Sequence, residues 1–213
     1  MNKKYLAEFV GTFALVFCGT GAIVINEQTG GLVTHIGIAI TFGVIVTAMI
    51  YAVGDISGAH LNPAVTVGFV IAKKFTLKEL FPYVFSQMAG AVLASSILKL
   101  FFPGNLNLGA TFPSVSRFQA FNMEVFLTFV LMMVILYVAS GSKERGYWAA
   151  VVIGFVVFLE AFFAGHISGA SMNPARSFAP AFVSGQLQFL WVYLTAPFVG
   201  AALAVALRVV FSK

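Results

Sequence analysis

Gly54–Thr66 reads GDISGAHLNPAVT, and Gly165–Ser177 reads GHISGASMNPARS. Eight of the 13 positions agree at a fixed offset of 111 residues. The likeness extends outward. Glu8-x-x-x-Thr12-Phe13 recurs as Glu124-x-x-x-Thr128-Phe129, and Tyr83–Ala94 (YVFSQMAGAVLA) recurs as Tyr193–Ala204 (YLTAPFVGAALA). The chain is one domain written twice, with residues 1–102 as the first copy and 119–213 as the second. Within each copy the decisive step is the Asn-Pro pair. Asn is a strong helix N-cap, and Pro suits the first helical position. Asn62-Pro63 and Asn173-Pro174 therefore each begin a helix, with Ser-Gly-Ala leading in.

These two starts lie in a strongly apolar chain. Of 213 residues, 60% are hydrophobic, 24 are Phe and only 9% are charged, with a mean hydropathy of +0.98. A soluble domain carries about 25% charged residues, so lipid is the expected solvent. The abundant Phe, the lack of a G-X-Y period and the lone Cys18 exclude disordered, fibrous and disulfide-stapled classes. A spanning helix needs about 20 mostly apolar residues. Tyr5–Asn26, Thr34–Val53, Leu80–Phe102, Gln119–Ala139, Tyr147–Gly165 and Phe189–Phe211 qualify. The first follows Lys3 and Lys4 as a leader peptide would, but it is long enough to span and contains Glu8, so it reads as a helix that stays. Asn62–Ala72 and Asn173–Val183 are too short. Each would be about 17 Å long as a helix, roughly half of the hydrocarbon core.

Each copy thus holds three spans and one short piece, and an odd number of spans inverts the second copy relative to the first. The expected fold is all-α: six transmembrane helices plus two re-entrant half-helices in an inverted repeat, with the shared site near the midplane. Basic residues set the orientation. Lys3, Lys4, Lys73, Lys74, Lys78, Lys143, Arg145, Arg208 and Lys213 gather on the side of the termini, against Lys99, Arg117 and Arg176 on the other. The termini are expected in the cytoplasm, below the cell membrane. The net charge of +5 is spread over short loops, with no basic stripe for nucleic acid.

If the halves are inverted, the two short helices meet N-terminus to N-terminus. The backbone leading into each is irregular at membrane depth, which is tolerated only against protein or a water-filled cavity. The carbonyls of Gly58, Ala59, His60 and Leu61, and of Gly169, Ala170, Ser171 and Met172, then form a ladder of acceptors along a pore. Each capping Asn spends its side-chain oxygen on its own helix, leaving its amide N–H groups free for the lumen. The two helix N-termini carry about half a positive charge each, a barrier to cations including hydronium. Arg176, beside the second Asn-Pro-Ala, is costly in lipid and is expected at a cavity. Pro180 cannot donate to the carbonyl of Arg176.

With two Asn-Pro-Ala boxes, Asn62-Pro63-Ala64 and Asn173-Pro174-Ala175, in SGAHLNPAVT and SGASMNPARS, the chain resembles the major intrinsic protein family, the aquaporins and aquaglyceroporins, over nearly its whole length. The resemblance implies a homotetramer with a pore in each subunit. It implies a passive channel for water and small neutral solutes that excludes protons and ions. It places the outer selectivity filter on Phe42, Ala161, Ala170 and Arg176. Water-selective members carry His where this chain has Ala161, so the mouth is expected to be wide enough for glycerol-like polyols, urea or metalloid hydroxides. Ser177, where glycerol facilitators commonly have Asp, points instead to a strict water channel. Tyr193-Leu194 lacks the aromatic-Trp pair of such channels. The combination is most similar to the nodulin-26-like branch and its microbial relatives.

The resemblance also implies that Glu8 and Glu124 brace the loops by accepting backbone hydrogen bonds. The rival reading is a proton-coupled secondary transporter using Glu8, Glu124 or Glu160. Glu160 supports the outer loop or Arg176, or sits at a subunit contact. His60 serves through its backbone, His166 lies in the outer vestibule and His35 at the surface. Pairs such as Ala39/Gly43, Gly90/Ala94 and Gly200/Ala204 suit close helix packing. No His, Cys or carboxylate pair has metal-site spacing, and no cofactor is implied. Ser57 and Ser168 have no His–acid partner at credible spacing, so no enzyme is expected. A structural membrane protein that conducts little is the last alternative.

Overall fold

A computed structural model describes residues 2–138 and 143–211, excepting the side chains of 143–147. Ala139 and Lys213 therefore lie outside the described residues, as do the side chains of Lys143 and Arg145. Among the described residues eight helices follow in order: α1 Lys3–Gln28, α2 Thr34–Ser57, α3 Pro63–Ile71, α4 Leu77–Phe101, α5 Arg117–Val138, α6 Lys143–Ser168, α7 Pro174–Ser184 and α8 Leu190–Phe211. Six are long and apolar enough to cross a membrane. The two short helices are α3 and α7. At 9 and 11 residues, they extend only about 14 and 17 Å.

Helix ends follow local chemistry. The side chains of Asn2 and Thr76 cap α1 and α4. Gly58 and Gly185 end α2 and α7 in the left-handed region, at φ 87° and 81°, where a side chain would be strained. Helix α2 runs past Gly54 to Ser57, longer than the sequence predicts, because a single Gly inside a packed helix is affordable.

Three close crossings fix the bundle. Helix α1 packs on α4, α5 on α8, and α2 on α6. Each crossing rests on small residues. A Cβ on Gly90 would strike the carbonyl of Phe9, and one on Gly200 the carbonyl of Val125. At the third crossing a Cβ on Gly43 would come within 2.7 Å of the Gly154 carbonyl. Backbones approach this closely in membranes because packing, rather than hydrophobic transfer, drives helix association.

Polarity runs opposite to that of a soluble protein. Large apolar side chains such as Phe81, Phe85, Phe118, Phe163 and Val44 face outward, while Glu8, Gln87, Glu124 and Arg176 are buried. A hydrophobic exterior, with charged side chains held inside among the apolar core, suits an integral multi-pass membrane protein.

Candidate functional site

The two loops before α3 and α7 share one backbone. Gly58, Ala59 and Leu61 have positive φ, and so do Gly169, Ala170 and Met172. Left-handed Ala, Leu and Met each cost on the order of 1–3 kcal/mol, so something must hold them. In the first loop it is Glu8, which accepts from the N–H groups of His60 and Leu61 at 2.9 and 2.8 Å and from the Ser57 hydroxyl at 2.7 Å. In the second, Glu124 accepts from the N–H groups of Ser171 and Met172 at 2.9 and 2.8 Å and from the Ser168 hydroxyl at 2.7 Å. Both carboxylates are fully buried. A second pair, absent from the sequence reading as site residues, completes the frame. Tyr83 and Tyr193 donate their hydroxyls to the carbonyls of Ser57 and Ser168, at the ends of α2 and α6. The repeated tyrosines were visible in the sequence, but no spacing rule links them to the distant carbonyls.

The loops deliver the two half-helix tips to one another. The side-chain oxygens of Asn62 and Asn173 accept from Ala64 N and Ala175 N, capping α3 and α7. Asn62 Nδ2 donates to the Met172 carbonyl at 2.8 Å, and Asn173 Nδ2 donates to the Leu61 carbonyl at 2.9 Å. This amends the expected free amides and free carbonyls. One N–H of each Asn is engaged across the junction, and the Leu61 and Met172 carbonyls are taken. The reason is proximity: at a buried tip-to-tip contact an unpaired carbonyl would be costly, and the facing amide satisfies it.

Beside the junction runs a cavity of about 160 Å³, where a single water requires roughly 10–15 Å³. Its wall includes Gly58, Ala59, His60, Leu61 and Asn62 from one half, and Ala170, Ser171, Met172, Asn173 and Arg176 from the other. Gly169 is not on the wall; Thr111 packs against it. Pro63, Ala64, Pro174 and Ala175 are buried and lie off the wall. The remaining wall is mostly apolar, with Leu15, Val46, Ile50, Val65, Leu131 and Ile135 among its residues. The wall thus combines residues of the two loops with mostly apolar side chains.

Phe42, Ala161, Ala170 and Arg176 all lie on this wall. Arg176 is 3% exposed. Its guanidinium lies 5.0 Å from the centroid of the Phe42 ring, within cation–π range. Nη1 donates to the Gly109 carbonyl at 2.8 Å, and Nε has no partner. Gly19 makes room for Phe42: a Cβ there would meet ring Cδ1 at 2.6 Å. Neither Gly19 nor Gly109 carries a sequence signal for this role, since each acts through a neighbour far along the chain. Helix α7 continues through Pro180.

Glu160 is buried with both oxygens unpartnered, so it braces neither the outer loop nor Arg176 by hydrogen bonding, and it does not lie open at the surface. The His60 ring packs among Phe69, Phe75 and Tyr83 and meets Thr66 Oγ1 at 3.2 Å. His35 and His166 lie off the cavity wall, their rings 3.8 Å apart, with His35 Nε2 2.7 Å from the Phe162 carbonyl. Among the described residues no group of three or more His, Cys, Asp or Glu is placed to hold a metal.

A family model described as Major intrinsic protein matches residues 1–207. Nodulin-26 of Glycine max is 44% identical over 200 residues, covering 93% of this chain and 74% of that protein. Aquaporin NIP1-4 of Oryza sativa subsp. japonica is 47% identical over 201 residues, covering 94% and 73%. The X-ray structure of the aquaglyceroporin from Plasmodium falciparum superposes with a TM-score of 0.86 at 28% identity, covering 97% of this chain and 94% of that one. Sequence and fold agree along the same residues: the chain belongs to the major intrinsic protein family.

Proposed function

We propose that the cavity beside the Asn62–Asn173 junction is the conducting path of a passive channel. It admits water and small neutral solutes of the glycerol, urea or metalloid hydroxide kind, and it turns back protons and ions. As a member of this family the protein is a channel for water and small solutes and not an enzyme. The observation that carries the solute reading is the wall shared by Phe42, Ala161, Ala170 and Arg176. Two of these four side chains, Ala161 and Ala170, are single methyl groups, so they add little bulk to the wall. A polyol has a hydroxyl edge and a carbon edge, and the wall offers residues of the two loops and mostly apolar side chains. Cations meet a buried Arg and the two positive half-helix ends.

Residues 1–102 and 119–213 act as inverted halves of one domain, with both termini in the cytoplasm. Four copies assemble, each with its own path. The basic side chains near the termini support the orientation, and the family supports the tetramer.

Purified protein in proteoliposomes tests the reading. Hyperosmotic shrinkage and isosmotic reswelling in glycerol and urea should both run faster than in empty vesicles, with no dependence on a pH gradient. Fast water with no glycerol or urea entry supports the strict water channel. Flux that saturates and follows the proton gradient supports the coupled transporter.

A further inference from the structure

Arg176 is held to the protein by few contacts. Its guanidinium is buried, its Nε is unpartnered, and Nη1 bonds one backbone atom, the Gly109 carbonyl. Beside the Phe42 ring contact, this bond locates the guanidinium, so whatever fixes Gly109 helps to fix the charged group on the cavity wall. Gly109 lies in the connection between α4 and α5, left-handed at φ 72°, and its Cα packs on α1, where a Cβ would come within 2.7 Å of Thr20 Cβ. Leu108 before it is also left-handed, at φ 52°, and fully buried. Gly109 adopts this conformation freely, but Leu108 does not persist in it without an external hold.

That hold is Asn105, which is 8% exposed. Its Oδ1 accepts from Leu108 N at 2.6 Å and from Asn107 N at 3.1 Å, and its Nδ2 donates to Glu27 Oε2 at 2.8 Å. The Lys99 ammonium reaches the Asn105 and Pro103 carbonyls at 3.4 and 3.3 Å. Helix α1 thus grips the connection twice, through Thr20 under Gly109 and through Glu27 on Asn105.

We propose that Asn105, anchored by Glu27, is a positioning residue that sets the place of Arg176 and thereby the selectivity of the channel. This rests on the reading that Arg176 borders the conducting path. Asn suits the post because one amide supplies both an acceptor for the turn and a donor for the helix end. Asp in its place keeps the acceptor but presents an oxygen to the Glu27 carboxylate.

The test is the glycerol-to-water permeability ratio in proteoliposomes for Asn105→Ala, Asn105→Asp, Glu27→Gln, the double variant Asn105→Asp/Glu27→Gln, and Arg176→Ala. Asn105→Ala and Asn105→Asp should shift the ratio in the same direction as Arg176→Ala, by about threefold or more, given the strength of hydrogen bonds to charged groups. The double variant restores a donor–acceptor pair and should return the ratio to near wild type, a rescue that a general loss of stability would not produce. Should the Asn105 variants fail to fold, Glu27→Ala, at an exposed helix end, is expected to shift the ratio in the same sense. An unchanged ratio in folded Asn105 variants, or in Glu27→Ala, beside a shifted Arg176→Ala overturns the proposal and leaves the filter reading standing. If Arg176→Ala itself leaves the ratio unchanged, both fall.

Discussion

The two halves of the molecule share a frame and differ in what they attach to it. In each, a buried Glu holds a left-handed loop, a Ser hydroxyl joins it, a Tyr ties off the preceding helix, and an Asn caps a half-helix while bonding the opposite loop. The first half is then closed with more of the same: Gln87 Nε2 donates to both Glu8 and Thr66, at 2.8 and 3.0 Å. In the second half, Pro197 stands where the repeat would place Gln87, and Ser177 where it would place Thr66. Ser177 bonds Ser171 and the Thr111 hydroxyl, and Arg176 stands where the first half has Val65. The shared residues build the junction, while the unshared ones include Arg176, on which the proposed selectivity rests.

The largest effect should come from striking the frame. Glu8→Ala or Glu124→Ala leaves two buried N–H groups and a hydroxyl without their acceptor, at about 1–3 kcal/mol for each lost partner. Either variant should lose the folded channel in detergent, seen as a large drop in thermal unfolding midpoint or as aggregation. If the halves are equivalent as frames, the two losses will match; a much milder Glu8→Ala would mean that Gln87 substitutes for the carboxylate.

Next in size is Arg176→Ala, which removes the feature found in one half only. Leakage of charged and larger solutes should rise while the fold persists, measured as ion and polyol flux in vesicles; unchanged selectivity would remove Arg176 from the constriction. Ala161→His should be smaller and selective, cutting glycerol flux more than water flux by narrowing the mouth. Equal losses of both would defeat the size argument. Smallest are Tyr83→Phe and Tyr193→Phe, each expected to cost about 1 kcal/mol for one buried bond, with flux selectivity retained.

Much of this was legible in the sequence because repetition and capping are local. Asn before Pro predicts a helix start, and α3 and α7 start there. Six long apolar runs predict spans, and the helices contain them to within a few residues at their ends. What escaped depends on contacts between distant segments. The bonds from Asn62 to Met172 and from Asn173 to Leu61 bridge residues more than a hundred positions apart, and they alter the inventory of free pore groups. The hold of Gly109 on Arg176 lies in a connection with no repeat partner to draw attention to it. Glu160 stayed open in the sequence among the outer loop, Arg176 and a subunit contact, because spacing places it about 100° around the helix from Ala161 but names no partner; its buried oxygens bond neither the loop nor Arg176.

The central claim is that solutes pass along the wall on which Ala161 and Arg176 sit. Water flux through Cys18→Ser/Ala161→Cys protein in proteoliposomes, before and after a small methanethiosulfonate that caps the thiol as a mixed disulfide and releases sulfinate, tests it most directly. Flux should be fast, the reagent should abolish it, a reductant should restore it, and Cys18→Ser protein without the new thiol should be unaffected. Fast flux that persists after the Ala161→Cys thiol is shown to be fully modified would contradict the claim.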